Sequence, residues 1–264
     1  MKFKKYFILV TFFLTSCDFS SRLNQDILDV QEKIKERDYQ QAVILYQNII
    51  DRKPPEHLRF KIYFQLADLN SIYLNNQIEA KKYFELLIAE TNDPKWLLRA
   101  RERLAEINFE YLHNYKEAIE IYTLLTSYIP KLEASDKYEY LLALAYLKNS
   151  NYAESEKRFL EISRDSSHEF FVNSFFHLGI ILFEQKKWKE AIVYWKEYIK
   201  NENPQKNKNQ IVEVKFLIAN AFETMENLKE AYDVYFSLQG EYPNNDVVKN
   251  RLKSIYSRRV NRKR

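Results

Sequence analysis

Few residues of this chain are of a type and spacing that could carry chemistry. The single cysteine, Cys17, is a potential nucleophile, metal ligand or modification site. The four histidines, His57, His113, His168 and His177, show none of the spacings at which imidazoles share a metal. Glu102 and Glu106 lie four residues apart, so a helix would put both carboxylates on one face, as paired acid–base work requires. Arg99 and Arg103 flank them at ion-pair spacing, which favours a charge ladder along a helix over catalysis. Two glycines in the whole chain exclude a glycine-rich loop that cradles phosphate. These residues predict no enzyme, no cofactor and no metal site. They leave Cys17 as the one position with chemistry of its own.

The surroundings of Cys17 say what that chemistry would be. Lys2, Lys4 and Lys5 precede an apolar run from Tyr6 to Leu14, and Thr15 and Ser16 lead into the cysteine. A basic start, a short apolar stretch and small residues before a cut describe a secretory signal over residues 1–16. The apolar run is far shorter than the roughly 20 residues of a spanning helix. Leu14 three positions before the cysteine, Ser16 directly before it and no acid upstream resemble a bacterial lipoprotein signal. The resemblance implies that the Cys17 thiol receives a diacylglyceryl group, that the signal is removed and that the new amino terminus is acylated. One acyl chain holds a protein marginally at a bilayer, and two or more hold it stably. Residues 17–22 would be the acylated cysteine and a tether, keeping the first helix within about 18 Å of the bilayer. The expected location is the cell envelope, lipid-anchored and facing the periplasm. The outer membrane is favoured. Asp18 after the cysteine would mean inner-membrane retention by the rule of enteric bacteria, so that alternative stays open.

Charge excludes one class of partner. The chain has 41 basic and 37 acidic residues, but three lysines lie in the signal and five bases crowd into the last seven positions. Between them, residues 17–257 are mildly acidic. A nucleic-acid binder needs a basic face on its folded body, so no nucleic-acid partner is expected. The tail, 258–264, reads as a solvated basic end that could meet acidic lipid headgroups.

The rest of the chain repeats. Six segments carry an aromatic or aliphatic residue, a small residue and then an aromatic four further on. They are Tyr39, Ala42, Tyr46; Ile78, Ala80, Phe84; Tyr115, Ala118, Tyr122; Tyr152, Ser155, Phe159; Trp188, Ala191, Trp195; and Leu228, Ala231, Tyr235. The small residues recur every 36–40 positions. A spacing of four places small and aromatic residues on one helical face, where the small one admits a neighbouring helix. Ahead of the last five runs a partner pattern: Leu142-Ala143, Leu178-Gly179 and Ile218-Ala219, with Leu66-Ala67 and Leu104-Ala105 carrying one extra residue before the turn; the stretch ahead of the first, about Leu23–Glu36, matches it poorly. Prolines such as Pro54, Pro130 and Pro243 stop the second helices.

These residues resemble the tetratricopeptide repeat. The resemblance implies an all-α solenoid of about six helical hairpins over residues 23–243. Asn244–Ser257 predicts a capping helix that packs through Val247, Val248, Leu252 and Ile255. Such repeats bind partners along the inner face of their first helices. Opposite the Leu-Gly/Ala pairs lie Tyr140, Leu144 and Leu147 in the fourth repeat and Phe176, Ile180 and Phe183 in the fifth. Arg99, Glu102, Glu106 and Phe109 occupy this face in the third. Either the apolar residues form a partner groove or a tight winding buries them. The expected function is a membrane-anchored scaffold that binds envelope proteins through this concave groove and the lipid membrane through acylated Cys17. The chain resembles lipoproteins of the outer-membrane β-barrel assembly machine (BamD type). Alternatives are a coordinator of Tol or peptidoglycan-synthesis proteins and a surface-exposed lipoprotein that contacts a host.

Overall fold

The computed structural model describes residues 22–261, which form thirteen helices and, among the described residues, no strand. After α1 (residues 22–35) come α2 (Tyr39–Asp51), α3 (Glu56–Asp68), α4 (Gln77–Glu90), α5 (Pro94–Glu106) and α6 (Tyr115–Thr126). They are followed by α7 (Ser135–Lys148), α8 (Tyr152–Ile162), α9 (Phe171–Glu184), α10 (Trp188–Asn201), α11 (Lys208–Thr224), α12 (Leu228–Ser237) and α13 (Asn245–Asn261). The chain divides into two compact units, Met1–Ile121 and Tyr122–Arg264.

All six small residues of the repeat are fully buried, and the aromatics four positions on are at most 7 % exposed. A very close crossing lies in the second unit. A methyl group added to Gly179 of α9 would come within 2.2 Å of Nε1 of Trp195 on α10. With no side chain in the way, the indole lies against the α9 backbone and its Nε1 donates to the Phe176 carbonyl at 3.2 Å. In the fourth hairpin a serine replaces alanine, and the Ser155 hydroxyl donates to the Ala143 carbonyl of the facing helix at 2.9 Å. That bond satisfies the one polar group a serine would otherwise bury at the crossing.

Each hairpin turns through one residue with left-handed backbone. Arg37, Asn75, His113, Ser150, Lys186 and Glu226 have φ between 50° and 63°. None is glycine, although the left-handed region disfavours other residues. The turn compensates by satisfying orphaned helix-end groups. The next residue donates its N–H across the turn, as Asp38 does to Lys33 (2.9 Å), Lys187 to Leu182 (2.8 Å) and Asn227 to Phe222 (2.9 Å). It also opens the second helix: the side chains of Asp38, Asn76 and Asn151 accept from the N–H of Gln41, Glu79 and Glu154.

The extra residue in the second and third repeats is absorbed as a wider helical turn. After α3 and α5 the chain continues as π-helix over Leu69–Tyr73 and Ile107–Tyr111. Leu74 N–H reaches back to Leu69 (3.1 Å) and Leu112 N–H to Ile107 (2.9 Å). Buried Asn70 and Asn108 stand at the same place in each turn, and each amide donates to the carbonyl four residues back, at 2.8 and 3.0 Å. One reading of the repeat is corrected here. Ile78 does not occupy the aromatic position of the second repeat, for it is 72 % exposed. Gln77 fills that place, buried, exchanging hydrogen bonds with the hydroxyl and carbonyl of Ser71.

The C-terminal end also differs from expectation. The last helix runs to Asn261, so the first part of the supposed tail is folded. Val248, Leu252 and Ile255 close the apolar cluster formed with α11 and α12. Arg258 donates to buried Glu223 at 2.9 Å and pairs with Glu226. Truncation at residue 257 would strand Glu223, with Arg251 at 3.6 Å as its remaining guanidinium.

Gly179→Ala is expected to lower stability by about 1–3 kcal/mol, because the indole of Trp195 must move and its hydrogen bond must lengthen. Chemical denaturation followed by circular dichroism reads this directly. An unchanged midpoint would contradict the close approach of α9 and α10.

Candidate partner-binding site

In the first unit, the inner faces of α3 and α5 and their π-turns border an open cleft of about 620 Å³. Arg99, Glu102 and Glu106 all line it, together with Phe64, Asp68, Arg103 and Tyr111. Phe109 does not join them; it is buried and packs edge-on against Tyr115. Position decides this grouping. Residues 99, 102, 103 and 106 fall at spacings of three and four, so α5 presents them as one side, facing 64 and 68 of α3 and 71 of the π-turn after it.

Ion pairing organises the cleft. Arg103 reaches Asp68 across the two helices at 3.3 Å and Glu106 along its own helix at 2.5 Å. Burial pushes the Asp68 carboxyl above the usual carboxylate range, against the pull of Arg103. The Arg99 guanidinium lies 4.3 Å from the ring centre of Phe64 and 5.3 Å from that of Trp96. Its charge is therefore held by aromatic faces and stays at the cleft surface. The ladder thus carries both signs in fixed places and has a ring floor, with Tyr111 half exposed at its margin.

In the second unit the six apolar side chains split into two packed groups. Tyr140, Leu144 and Leu147 border the cluster that holds Ala143, Phe159, Ile162, Leu178 and Ile181. Phe176, Ile180 and Phe183 border the cluster built by α9, α10 and α11. All six are half-buried. Tyr140 stacks on Phe170 at 4.2 Å, Phe176 lies 5.9 Å from Tyr198 and Phe183 lies 5.8 Å from Trp195. Only part of each side chain is available to a partner.

The histidines take structural places where the structure resolves their contacts. His113 is the left-handed residue of a hairpin turn. His168 is buried, and its Nδ1 accepts from the Phe170 N–H at 3.0 Å. His177 stacks on Phe159 at 4.9 Å and shares a 2.8 Å hydrogen bond with the Tyr140 hydroxyl. Burial, reinforced by the charge of Lys148, pushes its pKa down to about 4. Burial likewise pushes the Tyr140 hydroxyl up to about 12. No group of histidine, cysteine and carboxylate side chains among the described residues could hold a metal ion. Among the same residues, no helix is long and apolar enough to cross a membrane. Cys17 and the signal-like segment lie outside the described residues.

A tetratricopeptide-repeat profile matches residues 173–205, the region of α9 and α10. No curated protein matches the sequence. Among solved structures the chain is similar to PilW, a widely conserved type IV pilus biogenesis factor. The TM-score is 0.53 at 14 % identity, over 89 % of this chain and 98 % of that one. It is similar to pilF of Pseudomonas aeruginosa, with a TM-score of 0.51 at 12 % identity over 90 % and 98 %. A signal-transduction ATPase with a tetratricopeptide-repeat sensor from Pyrococcus horikoshii gives a TM-score of 0.61 at 17 % identity. That match covers 87 % of this chain and 38 % of the ATPase. At these identities the likeness shows the fold, a run of tetratricopeptide-like hairpins.

The depressed pKa of His177 has a consequence for stability. Between about pH 6.5 and pH 4 the unfolded chain binds a proton there that the folded chain refuses, so stability falls as pH drops through that window. The loss is on the order of 1–3 kcal/mol. His177→Gln is expected to flatten that part of the stability–pH profile relative to the parent. Superimposable profiles would show that His177 does not titrate as its surroundings require.

Proposed function

We propose that this chain is a lipid-anchored, non-catalytic scaffold of a bacterial cell envelope that holds a protein partner in the cleft between α3 and α5. The observation that carries this reading is the cleft itself. It is open, it lies on the first-helix face of two adjacent hairpins, and charged and aromatic side chains line it at fixed spacing. A bound segment could exchange hydrogen bonds with Arg99, Glu102 and Glu106 while resting an apolar side chain near Phe64 and Tyr111. No group in the cleft is placed as a nucleophile beside a base. The half-buried stripe of Phe176, Ile180 and Phe183, with Tyr140, Leu144 and Leu147, is a second contact area for the same or another partner.

Acylation at Cys17 would supply the anchor and place the scaffold at the periplasmic side of a membrane. The partner class follows from that location: envelope proteins under assembly or maintenance. Barrel assembly of the BamD type is one setting. The similarity in fold to a type IV pilus biogenesis factor makes pilus assembly another. Coordination of Tol or peptidoglycan-synthesis proteins and contact with a host surface are the remaining readings.

Two measurements test this. Metabolic labelling with a palmitate analogue is expected to mark the parent and not Cys17→Ala; equal labelling of both removes the anchor from the proposal. Affinity capture from detergent-solubilised envelopes, using the full-length acylated protein, identifies the partner. Arg99→Gln adds no charge that competes for Arg103 and is expected to reduce capture by several-fold or more with the protein still folded. Undiminished capture would move the working surface out of this cleft. Ile180→Asp distinguishes the stripe: loss of folding marks it as core, and loss of capture with retained folding marks it as a contact area.

A further inference from the structure

The charge of the chain is sharply uneven. Residues 245–264 contain eight basic residues and one acidic residue, Asp246, whereas the residues from Cys17 to Asn244 carry more acid than base. Helix α13 sorts these charges by side. Arg251 and Arg258, seven residues apart, point to α11 and are bound to Glu223. Lys249, Lys253 and Tyr256, at spacings of four and three, share the other flank. Asp246 lies 3.6 Å from Lys249. Among the described residues, Lys253 has no ion-pair partner.

That flank adjoins an exposed aromatic shelf. Arg259 lies over the Tyr232 ring of α12 at 5.6 Å, and Tyr232 stacks on Phe236 at 6.1 Å. Phe236 is 58 % exposed and Tyr256 is 62 % exposed. Tyr232 is half-buried and packs against the apolar cluster beneath, whereas Phe236 and Tyr256 stand outside it. The sequence continues beyond Asn261 with Arg262, Lys263 and Arg264.

We propose that this face, built from Lys253, Tyr256 and Arg259 of α13 with Tyr232 and Phe236 of α12, docks on the anionic headgroups of a lipid membrane. Charge complementarity selects an anionic partner. The rings select lipid among anionic partners, because tyrosine and other aromatics favour the headgroup level, where one edge is apolar and the other wet. The face is the outer flank of a terminal helix, and a layer of mobile headgroups can conform to it. Docking here is independent of acylation at Cys17, so either can fail without the other.

The test is co-sedimentation of the full chain with vesicles of phosphatidylcholine alone and with vesicles containing about one third phosphatidylglycerol. Any affinity of the N-terminal segment for bilayers is common to all variants and cancels in their comparison. The parent is expected to bind the anionic vesicles at least tenfold more tightly, with the excess lost at high salt. Lys253→Gln with Arg259→Gln should remove roughly tenfold of that excess, since each basic residue at such a surface contributes several-fold. Lys253→Arg with Arg259→Lys should restore it. Phe236→Ser with Tyr256→Ser should weaken the salt-resistant part, and circular dichroism melts should match the parent, since both residues are exposed. Equal binding of the parent to both vesicle types overturns the proposal. So does full retention of the excess by the double glutamine variant. Equal affinity for polyglutamate or an oligonucleotide would show a general polyanion site and overturn the assignment to lipid.

Discussion

Every hairpin of this protein depends on two helices crossing over a side chain too small to hold them apart. At Gly179 the constraint is severe, since even a methyl group would enter the volume of the Trp195 indole. The consequence is a trade between neighbours: the smaller the residue on one helix, the larger the ring the other can lay across it. Tryptophan meets glycine in the fifth hairpin, and the serine of the fourth meets a carbonyl it can bond. A hairpin alone exposes the other side of both helices, so its stability depends on stacking against the next. Hence the half-buried state of Tyr140, Leu144, Leu147, Phe176, Ile180 and Phe183. Such residues serve neighbouring clusters first and can serve a partner only with what remains exposed.

The first unit solves a different problem. Its second and third repeats carry one residue too many for an α-helical turn, and the surplus is placed at the same point in both as a π-turn with a buried asparagine. An interruption of this kind re-aims the side chains that follow it, and such turns often accompany binding sites. Here it brings Ile72 and Tyr111 to the margin of the cleft whose walls are the charge ladder of α5 and the face of α3. The ladder holds its shape because Arg103 is fixed at both ends, to Asp68 and to Glu106. The cleft is therefore lined by fixed charges of both signs, with a few ring edges between them.

Much of the architecture was legible in the residues. Small-plus-aromatic spacing reveals helix crossings because close packing leaves few alternatives at those positions, and all six small residues proved fully buried. Periodicity counted from the Leu-Ala pair places Arg99, Glu102 and Glu106 on one side of α5, but Phe109, read onto the same side, is buried against Tyr115 because the π-turn re-aims it. Three features were not legible. The left-handed turn residues are arginine, asparagine, histidine, serine, lysine and glutamate, so no glycine marked them; their signal was the aspartate or asparagine that follows in five of the six turns. Gln77 in an aromatic position is explained by its bonds to Ser71, a local pairing that hydrophobic pattern cannot express. The continuation of α13 past Ser257 depends on Arg258 finding Glu223, a contact 35 residues away in sequence.

That contact shows how one helix can pack inward and face outward at once. A repeat array needs a last element whose inner side is apolar and whose outer side tolerates water. Val248, Leu252 and Ile255 meet the first requirement. Glu223 then draws Arg251 and Arg258 to one flank, where buried Glu223 and its neighbour Glu226 balance their two charges. Lys249 and Lys253 are left to the other flank with Tyr256, and Arg259, four residues past Ile255, lies over the ring of Tyr232. A cap needing only solubility could mix acids and bases along its exposed side, which lowers self-repulsion at no cost in packing. One acid among nine charged residues departs from that economy. An approaching anionic surface, as proposed above, would relieve the repulsion between Lys253 and Arg259, since the one acid of α13, Asp246, is already beside Lys249.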